Sequence, residues 1–171
     1  MKKLVLTFLC VALIFAMTTF TSGVQNLISQ AKAEHAPAKS APDPWLGTWK
    51  MDVSQSKLHG PAPKEETLVI EAVSASRIKY SIKSIGQSSQ YTLTYDGKPD
   101  SASPVKMDGN PAGTATYHRV TNHEYSGKAS MGQSLTTTET IRLSPDKKKT
   151  TVKIHAKDDK GEYDEIAVYT R

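Results

Sequence analysis

The sequence predicts an all-β fold, an antiparallel up-and-down meander of about 8–10 strands closed into a barrel. Three observations lead there. From Trp45 to Arg171 apolar and polar residues alternate in short runs, Gly, Pro, Asn and Asp separate those runs, and no stretch of ordinary helix length repeats its apolar residues at helical spacing.

Residues 1–33 stand apart from this texture. Lys2 and Lys3 precede an almost wholly apolar run, Leu4 to Met17, and small polar residues follow, the layout of a secretory signal peptide. Two cleavage positions compete, after Thr21-Ser22-Gly23 and after Ala31-Lys32-Ala33. A spanning helix takes about 20 predominantly apolar residues, so the run becomes an anchor only if Thr18-Thr19-Phe20 is counted into it. The expectation is cleavage within 23–33, a periplasmic or extracellular location, and no stable membrane span after processing. Residues 34–44, EHAPAKSAPDP, are rich in Pro, Ala and charge without an apolar period and read as an extended tether. The barrel domain is then 45–171.

The first strand is WLGTWKMD, and DVSQSKL after it suits a single turn capped by Asp52 or Ser54. ETLVIEAV and SRIKYSIKSI follow. In the latter Ile78, Tyr80 and Ile82 share one face and Lys79, Ser81 and Lys83 the other, since successive strand side chains point to opposite sides. QYTLTYD repeats the pattern with Tyr91, Leu93 and Tyr95. A short SPVKM precedes TATYHRV and HEYSGKA, for which Thr121-Asn122 is the expected two-residue turn, setting Arg119 opposite Glu124 and His118 opposite Tyr125. SLTTTETIRLS carries a threonine run, Thr136 to Thr140, that suits a strand with a solvated face. KTTVKIHAK and EYDEIAVYTR complete the series. Asp96-Gly97, Asp108-Gly109 and Lys160-Gly161 supply residues tolerant of positive φ, and Ser144-Pro145-Asp146 favours a type I turn. Such a meander buries its apolar face by closing into a barrel or folding into a sandwich. Closure removes the exposed edges and brings the first strand, around Trp49, beside the last, around Ile166-Ala167-Val168.

Removing residues 1–33 takes Lys2, Lys3 and Lys32 from the 22 basic residues, leaving 19 against 17 acidic ones, and lowers the net charge from +5 to +2. The basic balance therefore belongs largely to the export segment. Nucleic-acid binding rests on neutralising many phosphates, and no concentrated basic surface supports it; Lys147-Lys148-Lys149 reads as a solvated turn. Cys10 and the three phenylalanines, Phe8, Phe15 and Phe20, leave with the same segment. The domain then has no disulfide and no Phe in its core, so tyrosines must supply much of the bulk.

Gly47-x-Trp49 at the start of the meander resembles the G-x-W of the lipocalin and wider calycin barrels. The resemblance implies that Trp49 closes the narrow end of the barrel and that a cationic side chain from a late strand, Arg142 or Arg171, packs over the indole by cation–π attraction. Nearly all of 45–171 is similar to exported bacterial lipocalin-like proteins, a group without an assigned ligand. The similarity runs through GTWKMDVSQSK, PAPKEETLVIE, YDGK, PVKMDGNP, the RV–NHEY hairpin, SPDKKKTTV and AVYTR. Where that group reads SPDGKT, this chain has Lys147.

His118 and His123, with Glu124 or His155, invite a metal reading, but no third ligand stands at a diagnostic spacing, and no metal or other cofactor is expected. Glu71, Glu139, Asp164 and Glu165 are candidates for a hydrolytic carboxylate pair; nothing in the spacing pairs them. Ser130 or Ser134 with His155 and Asp164 lack a nucleophile elbow, and no catalytic residue is assigned. Tyr80, Tyr91, Tyr95 and Tyr117 are the candidate lining of a ligand cavity, or else simply core. The expected function is binding of a small, partly apolar ligand without catalysis. The alternative is a filled barrel whose loops engage an extracytoplasmic protein.

Overall fold

A computed structural model describes residues 42–171; the signal segment, its cleavage positions and tether residues 34–41 lie outside the described residues. Ten strands follow in order: β1 (Gly47–Met51), β2 (Glu65–Val73), β3 (Ile78–Ile85), β4 (Gln90–Gly97), β5 (Ser103–Met107), β6 (Asn110–Thr121), β7 (Glu124–Met131), β8 (Leu135–Leu143), β9 (Lys149–Asp158) and β10 (Gly161–Thr170). Each pairs antiparallel with its chain neighbour, and β1 pairs with β10 through Lys50↔Thr170 and Met51↔Tyr169, so the sheet closes into a barrel. Among the described residues no sheet edge is left to template pairing with another chain.

β1 is short, and the segment after it holds the seam together. Asp52 accepts from the backbone N–H groups of Ser54 and Gln55 and caps a single turn. The chain then returns to β10, where Lys57 and Ile166 exchange two backbone hydrogen bonds of 2.7 Å. Ser56 Oγ accepts from the Val168 N–H at 3.0 Å.

The alternation read from the sequence sets the two faces of the sheet. Trp49, Leu68, Ile78, Tyr95, Val105, Tyr117, Tyr125 and Leu143 are buried inside. Lys83, Lys106, Lys128, Lys153 and Lys157 are exposed outside. The tyrosines do supply the missing aromatic bulk: Tyr80 and Tyr95 stack at 5.4 Å between centroids, and Tyr117 meets both edge-on at 5.8 and 5.1 Å.

Two local expectations are corrected. The β6–β7 turn is Asn122-His123, with Thr121 opposite Glu124, and a bulge between Arg119 and Thr121 sets Arg119 opposite Tyr125 and His118 opposite Ser126. The expected register, one residue away, would have put Tyr117 and Tyr125 on opposite faces. Both rings are buried, and the bulge leaves Val120 half exposed instead. Asp96-Gly97 is not a turn but the end of β4. A Cβ on Gly97 would lie 2.5 Å from Ser103 Cβ and against the Tyr95 hydroxyl, so close packing, not turn geometry, requires the glycine; Asp100 takes the positive φ of the next connection. Asp108-Gly109 adopts the expected turn, with φ of 50° and 82°.

Candidate functional site

The barrel has a closed end and an open end. At the closed end Trp49 is fully buried. Its Nε1 donates to the Trp45 carbonyl at 3.0 Å, and Trp45 Nε1 donates to the Asn122 carbonyl at 3.0 Å. Trp45 also meets Tyr125 edge-on at 5.2 Å. The Arg171 guanidinium lies 4.2 Å from the Trp49 ring centroid and donates to the carbonyls of Pro44, Leu46 and Lys147, each at 2.9 Å. Gly47, with φ of 119°, passes beneath this guanidinium. Arg142 is elsewhere: it sits on the outer face and pairs with Glu124 at 3.1 Å. Trp45, buried as deeply as Trp49, was not singled out from the sequence; its place just before the Gly-x-Trp was the available signal.

Above the tryptophans the interior holds a cavity of about 210 Å³. Its wall is mostly aliphatic, with Leu68, Ile70, Ile82, Leu93, Ile141 and Val152 among its members. Tyr80 and Tyr117 reach it from β3 and β6, and Thr137 and Glu139 from β8. Among the described residues Glu139 is the only carboxylic acid in the wall, and no Lys, Arg or His lines it.

Strand registry explains how these groups meet. Tyr117 on β6, Gly127 on β7 and Glu139 on β8 form one cross-strand row. Gly127 has no side chain to separate the other two, and the Tyr117 hydroxyl donates across it to Glu139 Oε2 at 3.5 Å. Thr137 Oγ1 donates to Glu139 Oε1 at 3.1 Å, and the Tyr80 and Tyr117 hydroxyls are 2.7 Å apart. A hydroxyl has one proton to give, so with Tyr117 donating to Glu139 the Tyr80 hydroxyl donates to Tyr117. Burial raises the Glu139 carboxyl above its ordinary range, and the two hydrogen bonds only partly offset it. Burial likewise pushes the Tyr80 and Tyr117 phenols up, so both remain protonated.

Of the four candidate tyrosines, the structure brings Tyr80, Tyr95 and Tyr117 into one cluster, with Tyr80 and Tyr117 facing the cavity. Tyr91 lies at the other end of β4, opposite Ser84, and lines the open mouth instead. This mouth, about 490 Å³, is framed by the β1–β2 connection and the β3–β4 turn. It meets the inner cavity at Ile82, Leu93, Ile154, Ala167 and Tyr169, which line both. Glu66 faces the mouth and accepts from the Tyr169 hydroxyl at 2.6 Å; Glu165 accepts from the His59 N–H at 2.8 Å.

The candidate metal and triad residues fall on the outer surface. His118 pairs with Asp100 at 2.5 Å and His155 with Asp164 at 2.8 Å. His123 stands in the β6–β7 turn. Among the described residues no group of three or more His, Cys, Asp or Glu converges as a metal site would require. Compared with known proteins, the chain matches no family model, and no curated protein matches it in sequence.

Proposed function

We propose that this is an exported, lipocalin-like protein that binds a small, mostly apolar molecule inside its barrel and does not transform it. The observation that carries the reading is the inner cavity: about 210 Å³ of space behind a mostly aliphatic wall that includes a cluster of polar groups, Tyr80, Tyr117, Thr137 and Glu139. Ligand sites are usually apolar with a few placed polar groups. The volume sets the scale of the ligand, since an engineered cavity of about 150 Å³ holds benzene; a body of one ring and a short chain fits, and a longer one would extend into the mouth. The Lys2-Lys3 and Leu4–Met17 pattern supports export.

The test is native mass spectrometry of the protein isolated from its producing cells, followed by denaturing extraction, together with a melting experiment in the presence of indole. Ligand binding to the native state alone stabilises by about 2.7 kcal/mol at a hundredfold excess over Kd. A reproducible extra mass released as a small molecule, or a concentration-dependent rise in melting temperature with indole, supports the carrier. A bare mass with no rise would move the function to the loops and a protein partner.

A further inference from the structure

The sign of charge along the barrel axis is opposite to that of the chain. Without residues 1–33 the chain is still net positive, with 19 basic against 17 acidic residues, or +2, yet the mouth presents Glu66 and Glu165 and the inner cavity presents Glu139. Among the described residues no Lys or Arg lines either space, and His59 at the mouth is the sole histidine. The lysines of β3, β7 and β9 point outward because they occupy the alternate strand positions. The acidic interior is therefore a matter of placement, and low-dielectric walls focus such a field along the channel.

None of the three carboxylates is saturated with donors. Glu66 has the Tyr169 hydroxyl at 2.6 Å and Glu165 the His59 N–H at 2.8 Å. Glu139 has Thr137 at 3.1 Å and Tyr117 only at 3.5 Å, both neutral donors. A carboxylate accepts at roughly four lone-pair sites, so Glu139 keeps acceptor capacity facing the cavity. Two aromatic rings, Tyr80 and Tyr117, stand beside it with oxygen atoms as further acceptors.

Building on the carrier reading, we infer that the cavity takes a small organic cation, a protonated amine on a ring-sized apolar body, with its ammonium paired to Glu139 between Tyr80 and Tyr117. An ammonium donates to the open carboxylate positions and gains cation–π attraction from the rings. The aliphatic wall takes the body of the ligand. A carboxylate ligand would place two like charges together in a medium that screens them poorly, with no base in the wall to neutralise either. A neutral ligand leaves the buried acid without a counter-charge.

The experiment is isothermal titration of the purified protein at neutral pH with three probes on one skeleton: 2-phenylethylamine, 2-phenylethanol and phenylacetate. The amine is expected to bind about tenfold or more tighter than the alcohol, with phenylacetate weakest. In Glu139→Gln the amine should fall to the level of the alcohol while the alcohol keeps its affinity; Glu124→Gln, on the outer face beside Arg142, should preserve the order. Equal or tighter binding of the alcohol or phenylacetate overturns the inference, as does an amine preference that persists in Glu139→Gln. If none of the three binds but indole still raises the melting temperature, the cation inference falls and the carrier reading stands. If indole fails too and native mass spectrometry shows a bare mass, both fall.

Discussion

Tyr117 lies directly opposite Gly127, and the glycine is what allows the tyrosine to reach Glu139. A Cβ at Gly127 would stand 2.6 Å from Tyr117 Cε1 and 3.4 Å from Glu139 Oε2. The Tyr117 ring is edge-on to both Tyr80 and Tyr95, so displacing it disturbs both contacts. The polar cluster of the cavity therefore depends on a residue with no side chain at the centre of its row.

Gly127→Ala should accordingly destabilise. In a relaxed strand the change would gain about 0.5–1 kcal/mol of backbone entropy; here overpacking of about 1–3 kcal/mol outweighs it. Urea unfolding monitored by far-UV circular dichroism measures the difference. An unchanged midpoint would mean that the Tyr117 ring can leave the row at no cost.

Arg171 over Trp49 makes a second prediction. Arg171→Ala removes a cation–π contact of about 0.5–2 kcal/mol and three hydrogen bonds to the carbonyls of Pro44, Leu46 and Lys147. A loss of about 1–3 kcal/mol is expected, and Arg171→Lys should recover little of it, because an ammonium cannot reproduce the planar fork. Trp49→Ala, which empties a fully buried site, should cost about 3–5 kcal/mol. Thermal melts of the three variants test the order; a lysine variant as stable as the parent would reduce the Arg171 contact to simple charge.

Much of this architecture was legible in the sequence, and the parts that were not share a cause. Period-two alternation located all ten strands and predicted the β1–β10 closure, because an apolar face repeated along a meander has few ways to be buried. The β6–β7 register was missed because the turn sits one residue later than expected and a bulge then shifts the pairing by one, and neither leaves a compositional mark. Glu139 was weighed only as an unpaired acid. Surrounded by Thr136, Thr138 and Thr140 it reads as solvated, yet the alternation Leu135, Thr137, Glu139, Ile141, Leu143 places it on the inward face. The periodicity carried the information, and the general expectation that acids face water masked it. Glu66 was hidden in the same way, two residues before Leu68 on the same face.

The β8–β9 turn allows a stabilising change. Lys147 holds a left-handed φ of 61° and donates its N–H to the Ser144 carbonyl at 2.9 Å. A side chain in that conformation costs about 1–2 kcal/mol. Lys147→Gly removes the strain and keeps the backbone carbonyl that Arg171 uses, at the expense of some chain entropy. The net effect should be a gain of about 0.5–1 kcal/mol, read as a higher melting temperature. A decrease would show that the lysine side chain itself stabilises the turn.

Glu139 makes stability depend on pH with a definite sign. Its carboxyl is raised in the folded protein, first by burial, against hydrogen bonds from Thr137 and Tyr117 that lower it. The folded state therefore holds its proton at pH values where the unfolded chain, with an ordinary value of 4.5, has released it. Stability is fullest below the ordinary value and declines as pH rises from there through the folded value, because the native state then binds more protons than the unfolded one. Glu139→Gln abolishes that titration without changing the shape of the side chain. The variant should match the parent in acid and exceed it at neutral pH, with the gap opening above about pH 4.5. Denaturant midpoints of both proteins across the acid-to-neutral range measure the gap. Parallel curves would mean that folding leaves the Glu139 carboxyl unshifted, and a gap that opens toward acid instead would mean that the folded protein stabilises it as a carboxylate.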